Sequence, residues 1–557
     1  MKKLTIITLM ILTLSCKNQV KVKKELSSGE NMTKTPFVWE GANLYFLLTD
    51  RFNNGDPSND VNFNRTKETG VLRGFKGGDL KGITQKIKEG YFTDLGINAI
   101  WMTPIVEQIH GATDEGTGAT YGYHGYWAKD WTKIDPNFGT KEDLHELVEE
   151  AHARGIRIVL DAVINHTGPV TEKDPVWPEE WVRTDKQCRY DNYENTVTCT
   201  LVENLPDIRT ESNDNVDLPP QLVEKWKSEG RYEQEVAELD AFFERTGYPR
   251  APRFYIIKWL TDYITEFGVD GYRADTVKHT EAYVWQEFKT ECDYAFEQYK
   301  KQHPDRVLDD NDFYLVGEVY NYGISSGQYF DFGDKKVNYF NPPSFHSLIN
   351  FEFKWNAEQL NYEELFSKYY NYLSNDLKEF GVLNYLSSHD DGSPFDPLRK
   401  KPYETANLLL LAPGTSQVYY GDESARPLKV EGAIGDANLR SFMNWNAIAS
   451  DASVQSVLDH WNKLGQFRAN HPAIGAGIHQ MITQKPYVFY RSFQNKNQKD
   501  LVVVGLDLKG KRKTLELSNL FEDGTQLYDA YSKQAVIVEN GKVEIESPFS
   551  TVLLEQL

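Results

Sequence analysis

The stretch GVDGYRADTVKH, residues 268–279, opens on glycine, runs through β-branched and aromatic residues, and delivers Asp275 where a short buried strand gives way to loop. An acid at such a point ordinarily caps a helix. The arrangement recurs along the chain, however. DAVINH (161–166) closes the apolar run IRIVLDAV, LVGEVY (315–320) puts Glu318 at the end of FYLVGEV, and YLSSHD (385–390) sets His389 and Asp390 after LNYLS. Two further apolar runs, NLYFLLTD and INAIWMTPI, precede them as first and second strands, and amphipathic stretches such as KEDLHELVEEAHARG and YIIKWLTDYITEFG lie between. Repeated strand–helix units predict an α/β fold, a parallel (β/α)8 barrel whose strand carboxyl ends converge on one face.

Convergence turns isolated acids into a set. Glycoside cleavage needs one carboxylate at the anomeric carbon and one carboxylic acid on the leaving oxygen. In order and spacing, DAVINH, GVDGYRADTVKH, GEVY and SSHD resemble the signature series of the α-amylase family (glycoside hydrolase family 13). The resemblance implies that Asp275 is the nucleophile, Glu318 the general acid/base, and Asp390 the third acid, holding the sugar 2- and 3-hydroxyls. It also implies that Arg273, two residues before the nucleophile on the same strand face, keeps Asp275 ionised. His166 and His389 would hydrogen-bond the sugar just before the cleaved bond. Tyr126, in YGYHGYWAKDW, would be the platform for that sugar, with Trp127 beside it, and Lys278 would donate beyond the cleavage point. The chemistry implied is retaining double displacement, with carboxyl groups about 5 to 5.5 Å apart. The segments LPDIRTES (205–212), LLLLAPGTSQVYYGDES and HPAIGAG resemble the periplasmic α-amylases of Gram-negative bacteria in particular. Ser388 stands where the family commonly has Asn, a trait of that branch.

Two constellations suit calcium, which prefers hard oxygen ligands. TDRFNNGDPSND (49–60) gathers Asn53, Asn54, Asp56, Asn59 and Asp60 about a glycine turn, without the twelfth-position Glu of an EF-hand. It resembles an N-terminal calcium loop of part of the family, which implies Asn54, Asp56, Asn59, Asp60, Asp79 and the Gly77 carbonyl as ligands. A metal-free turn is the other reading. The resemblance implies a second site from Asn165, Asp207 and the His279 carbonyl, tying a protruding loop domain to the barrel.

The rest of the chain is organised around these placements. At 557 residues it accommodates a barrel of about 250 residues plus additions. A net charge of −21 argues against nucleic acid or an anionic membrane surface as partner, and leaves neutral α-glucans as suitable substrates. MKKLTIITLMILTLSC (1–16) reads as a secretion signal whose end resembles a lipoprotein box, with Cys16 as the acylated residue, and 17–36 as a flexible tether. The membrane is then met only through that anchor. Because the tether begins basic, a periplasm-facing anchor is preferred over surface exposure. The barrel is expected over 37–166 and 216–459, a loop domain over 167–215, and a C-terminal antiparallel β-sandwich over 460–557, in a monomer. Within the barrel segment, LPPQLVEKWKSEGRYEQEVAELDAFFERTG predicts inserted helices without an evident role. Cys188 and Cys199 bracket a short polar loop and read as a disulfide, two free thiols being the alternative. Hydrolysis of α-1,4-glucosidic bonds leads. Transglycosylation on the same barrel and non-catalytic glucan binding are the other functions weighed.

Overall fold

The computed structural model describes residues 37–496 and 499–557. The expected signal segment, Cys16 and the tether lie outside the described residues.

Eight parallel strands close a barrel in chain order: β1 Asn43–Leu47, β2 Ala99–Met102, β3 Arg157–Ala162, β4 Gly271–Ala274, β5 Tyr314–Gly317, β6 Ser347–Asn350, β7 Gly381–Asn384 and β8 Thr415–Tyr419. Every residue of these strands is buried, as expected for a parallel sheet covered on both faces. Register decides what the barrel presents. Arg273 of β4 lies beside Asp161 of β3 and Val316 of β5, and Ala274 lies beside Gly317. Asp275 and Glu318, the next residues on adjacent strands, therefore emerge at one level, on strands spaced by roughly 4.8 Å.

The quoted glycine does not open the strand. Gly268 ends the barrel helix Pro252–Phe267 in the left-handed region, at φ 71°, and its amide bonds the Ile264 carbonyl. A Cβ there would lie 2.1 Å from the Tyr299 ring. Only glycine suits both demands. The helix Lys141–His152 begins on a reciprocal capping box between Thr140 and Asp143.

Between β3 and β4 the chain forms a short antiparallel ladder, Val182–Arg183 with Asp207–Ile208, and then the helices Pro220–Ser228 and Tyr232–Thr246. A disulfide joins Cys188 to Cys199, with Cα atoms 5.0 Å apart. Downstream, β9 Ile478–Thr483, β10 Tyr487–Gln494, β11 Lys499–Leu506, β13 Gln526–Asp529, β14 Gln534–Ile537 and β16 Val552–Gln556 form a six-stranded antiparallel sheet. A second pair, β12 Arg512–Glu516 with β15 Lys542–Glu546, packs on it through Leu515, Val543 and Ile545 against Val488, Val503 and Leu554. Residue 460 itself falls inside the helix Ala452–Asn470, which touches both parts. Trp461 Nε1 donates to the Pro402 carbonyl (3.1 Å), His460 Nδ1 meets the Tyr531 hydroxyl (2.7 Å), and Asn43 of β1 donates to the Gly465 carbonyl (2.9 Å). Among the described residues no helix is long and apolar enough to cross a membrane.

Candidate active site at the carboxyl ends of the barrel strands

Asp275 follows β4 and Glu318 follows β5, each 6 % exposed. Between them sits one guanidinium. Arg273, 1 % exposed, places Nη1 2.7 Å from Asp275 Oδ1 and 3.0 Å from Asp161 Oδ1, and Nη2 3.0 Å from Glu318 Oε2. The sequence reading paired Arg273 with Asp275 alone. It overlooked Asp161, the first residue of DAVINH, whose Oδ2 also accepts from the Tyr126 hydroxyl (2.8 Å) and Trp101 Nε1 (3.1 Å).

Burial separates the protonation behaviour of these acids. Loss of solvent, reinforced by the Asp275 charge and opposed by Arg273, pushes Glu318 up to about 8. Burial likewise pushes Asp161 up to about 7, against the pull of Arg273. The Glu318 carboxylate accepts from the Thr276 amide (2.9 Å), in a turn where Thr276 holds a left-handed φ of 48°. A carboxyl shifted so far can hold its proton at neutral pH.

The remaining residues line up around this core. His166 Nε2 donates to the Tyr126 carbonyl (3.1 Å), and burial holds its imidazole neutral. The His389 ring, also held neutral by burial, stacks 5.3 Å from Tyr126. Arg440, which the sequence did not single out, donates to the His389 carbonyl (2.9 Å) and fixes the loop carrying Asp390. The side chain of Asp390 remains 35 % exposed. Trp127 differs from Tyr126. It is 6 % exposed and packs with Ile109 and Leu205, so its ring belongs to a small core behind the platform. Lys278 Nζ bonds the Tyr320 carbonyl (3.3 Å) and lies 5.1 Å from the Tyr320 ring and 5.7 Å from the Tyr190 ring, two exposed aromatics.

The oxygen-rich turn divides into two groups. Asp79 caps the helix Leu80–Lys88 and accepts from the amides of Gly55, Asp56 and Gly82 and from Asn59 Nδ2. Asp56 pairs with Lys81 (2.6 Å). Asn54 bonds Asp60 (2.8 Å), and Gly77, at φ 94°, lies so close that a Cβ would fall 2.5 Å from both side chains. Asn59 Oδ1 is buried without a hydrogen-bond partner. The Asp60 carboxylate and the unpartnered Asn59 Oδ1 are oxygens that suit a hard cation, whereas Asn54 turns its Nδ2 towards Asp60. In the second constellation, the Ile208 amide bonds the Asn165 carbonyl (2.8 Å), placing Asn165 beside Asp207. Asn165 Oδ1 accepts only a long bond from Thr280 Oγ1 (3.4 Å), next to His279. Both Asp207 carboxylate oxygens are buried without a hydrogen bond, although Arg183 Nε lies 2.7 Å from one of them. Asp207 Oδ1, which Arg183 does not meet, suits a cation too.

Comparison with known proteins agrees with this geometry. Residues 46–462 match the family described as "Alpha amylase, catalytic domain". The periplasmic alpha-amylase of Escherichia coli (strain K12) is 36 % identical over 535 residues, spanning 86 % of this chain and 74 % of that protein. A cyclomaltodextrin glucanotransferase of Geobacillus stearothermophilus is 27 % identical over 501 residues, covering 87 % of this chain and 62 % of that one. Among solved structures, an Anoxybacillus alpha-amylase superposes with a TM-score of 0.64 at 24 % identity, over 94 % of this chain and 99 % of its own, a likeness of fold.

Proposed function

The chain belongs to the α-amylase family and is a glycoside hydrolase of it, and from that premise we propose that it cleaves internal α-1,4-glucosidic bonds of starch-derived glucans and maltodextrins with retention. Asp275 attacks the anomeric carbon as the bond to the leaving oxygen breaks, and the Glu318 proton passes to that oxygen. Water then attacks the same carbon, giving its proton back to Glu318 and releasing Asp275. The observation that carries this is the single guanidinium of Arg273 against both carboxylates, with Glu318 pushed to about 8 so that it can hold the proton. Asp390 would hold the sugar 2- and 3-hydroxyls, His166 and His389 its neighbouring hydroxyls, and Tyr126 its apolar face. A retaining separation of about 5 to 5.5 Å between the Asp275 and Glu318 carboxyl groups belongs to the same reading. Lys278 would meet the sugar beyond the bond.

Digestion of amylose and maltoheptaose, with products separated over time, tests the assignment. Linear oligosaccharides of retained configuration are expected. Asp275→Asn should cut turnover by roughly four orders of magnitude or more while leaving the fold intact, since removing a covalent nucleophile abolishes the intermediate. Cyclic or lengthened products would favour chain transfer instead. The exposed Tyr190 and Tyr320 beside Lys278 give that second reading its footing, because aromatic faces retain an acceptor sugar where water must compete.

Calcium at Asn54, Asn59, Asp60 and the Gly77 carbonyl, with Asp56 and Asp79 supporting the turn, and at Asn165, Asp207 and the His279 carbonyl, would hold loops in place and supply no chemistry. The enzyme would act as a monomer held in the cell envelope by acylated Cys16 and facing the periplasm. Support comes from the signal-like amino terminus and from the relative named as periplasmic. Rapid loss of the protein when intact cells are shaved with protease would contradict that orientation.

A further inference from the structure

Glu107 and Asp130 face each other directly across the antiparallel pair Val106–Gln108 and Ala128–Ile134, and neither is exposed to solvent. Like charges opposite one another in a ladder repel, and burial removes the water that would screen them. A cation from outside the ladder touches both. Lys225, on the inserted helix Pro220–Ser228, places Nζ 2.9 Å from Glu107 Oε2 and 2.8 Å from Asp130 Oδ2. Trp226 Nε1 (3.2 Å) and Arg231 Nη2 (2.8 Å), also from the insertion, donate to the same Asp130 oxygen. Burial alone would raise the Asp130 carboxyl, yet Lys225 and Arg231 hold it below the usual carboxylate range.

The ladder leads straight to the candidate site. Trp127 donates its amide to Gln108 Oε1 (2.7 Å) and accepts from the Ile109 amide (3.0 Å), so the backbone just after Tyr126 is pinned to the strand carrying Glu107. We propose that Lys225 is a positioning residue. By neutralising the Glu107–Asp130 pair it holds the ladder in register and keeps Tyr126 against Asp161 and the bound sugar. The inserted helices then have a role as the clamp on the sugar platform. Other groups face the pair as well: Glu229 accepts from Lys225 (2.9 Å) and Lys133 (3.0 Å), Arg231 donates to Thr132 Oγ1 (2.8 Å), Glu235 accepts from Arg231, and His110 meets Glu107 Oε1 (2.9 Å). The inference rests on Tyr126 lining the glucan site.

Steady-state kinetics on maltoheptaose across pH, well below the melting temperature of each protein, tests it with the full chain. Lys225→Met should lower kcat/KM about tenfold or more at pH 7, chiefly through KM, because a displaced platform costs binding geometry. The defect should shrink towards acid pH as Asp130, no longer held down by the Lys225 charge, takes up a proton. Lys225→Arg, or adding Glu107→Gln to Lys225→Met, should restore most of the loss. Folded Lys225→Met with wild-type KM and kcat at pH 7, or with a defect that does not vary with pH, would overturn the proposal. If Lys225→Met does not fold, the double variant decides: near-wild-type KM supports the clamp, and failure to fold or an unrestored KM overturns it. A wild-type protein inert on every glucan would defeat the functional reading and with it this inference, whereas an active wild type with an unaffected Lys225→Met overturns this inference alone.

Discussion

One guanidinium serves three acids: Arg273 touches Asp161, Asp275 and Glu318 within 3.0 Å. Their spacing in the sequence gave Arg273 and Asp275 away, two residues apart on one strand face. It gave no sign of Asp161, because a charge partner on a neighbouring strand depends on register, and register is not written in either strand alone. The position of Trp127 was equally hidden, since an aromatic beside a platform residue reads the same whether it faces the cleft or the core. Glu318 supplies a test at this scale. Its proton is present below about pH 8 and lost above it. Activity should therefore fall as pH rises through that value, with the alkaline limb of kcat/KM reporting the free enzyme. A limb unchanged in Glu318→Asp, whose shorter side chain alters the environment of the carboxyl, would assign it to another group.

Elements were legible where pattern and termination agreed. Four barrel strands, β3, β4, β5 and β7, lead into an acid or histidine before a helical stretch, and these let the barrel be read; the sixth and eighth strands carry no such mark and were not placed. The glycine at 268 was misplaced by a few residues because a helix C-cap and a strand opening both favour glycine. Gly268→Ala tests the corrected assignment. The left-handed φ and the Tyr299 ring 2.1 Å from the added carbon should together destabilise the fold by more than about 1 kcal/mol, seen as a lower melting temperature. An unchanged melting temperature would mean that the turn relaxes freely. The inserted helices show the opposite case. Their periodicity was plain, but their purpose lay in Lys225, Trp226 and Arg231 reaching a buried strand acid about a hundred residues earlier in the chain.

At the scale of the whole molecule, the barrel and the C-terminal sheets follow from periodicity, and the loop excursion after β3 from the length of the gap and the family resemblance, whereas the seams between them do not. The proposed cations sit at two such seams, one under the helix capped by Asp79 and one where Asp207 meets the barrel. Chelation with excess EDTA should lower the melting temperature by several degrees, and added calcium should restore it, because a ligand bound only by the folded state stabilises it by mass action. No change on chelation would remove calcium from both seams. The helix Ala452–Asn470 marks a third seam, filled entirely by the chain itself: it bonds β1 through Gly465, the start of the helix Pro402–Leu410 through Trp461, and the turn between β13 and β14 through His460. Shared ownership of that helix means neither lobe is a spare part. A protein trimmed at residue 460 would strip the first barrel strand of a neighbour, so the two lobes should melt as one cooperative body and pass destabilising changes in either to the other.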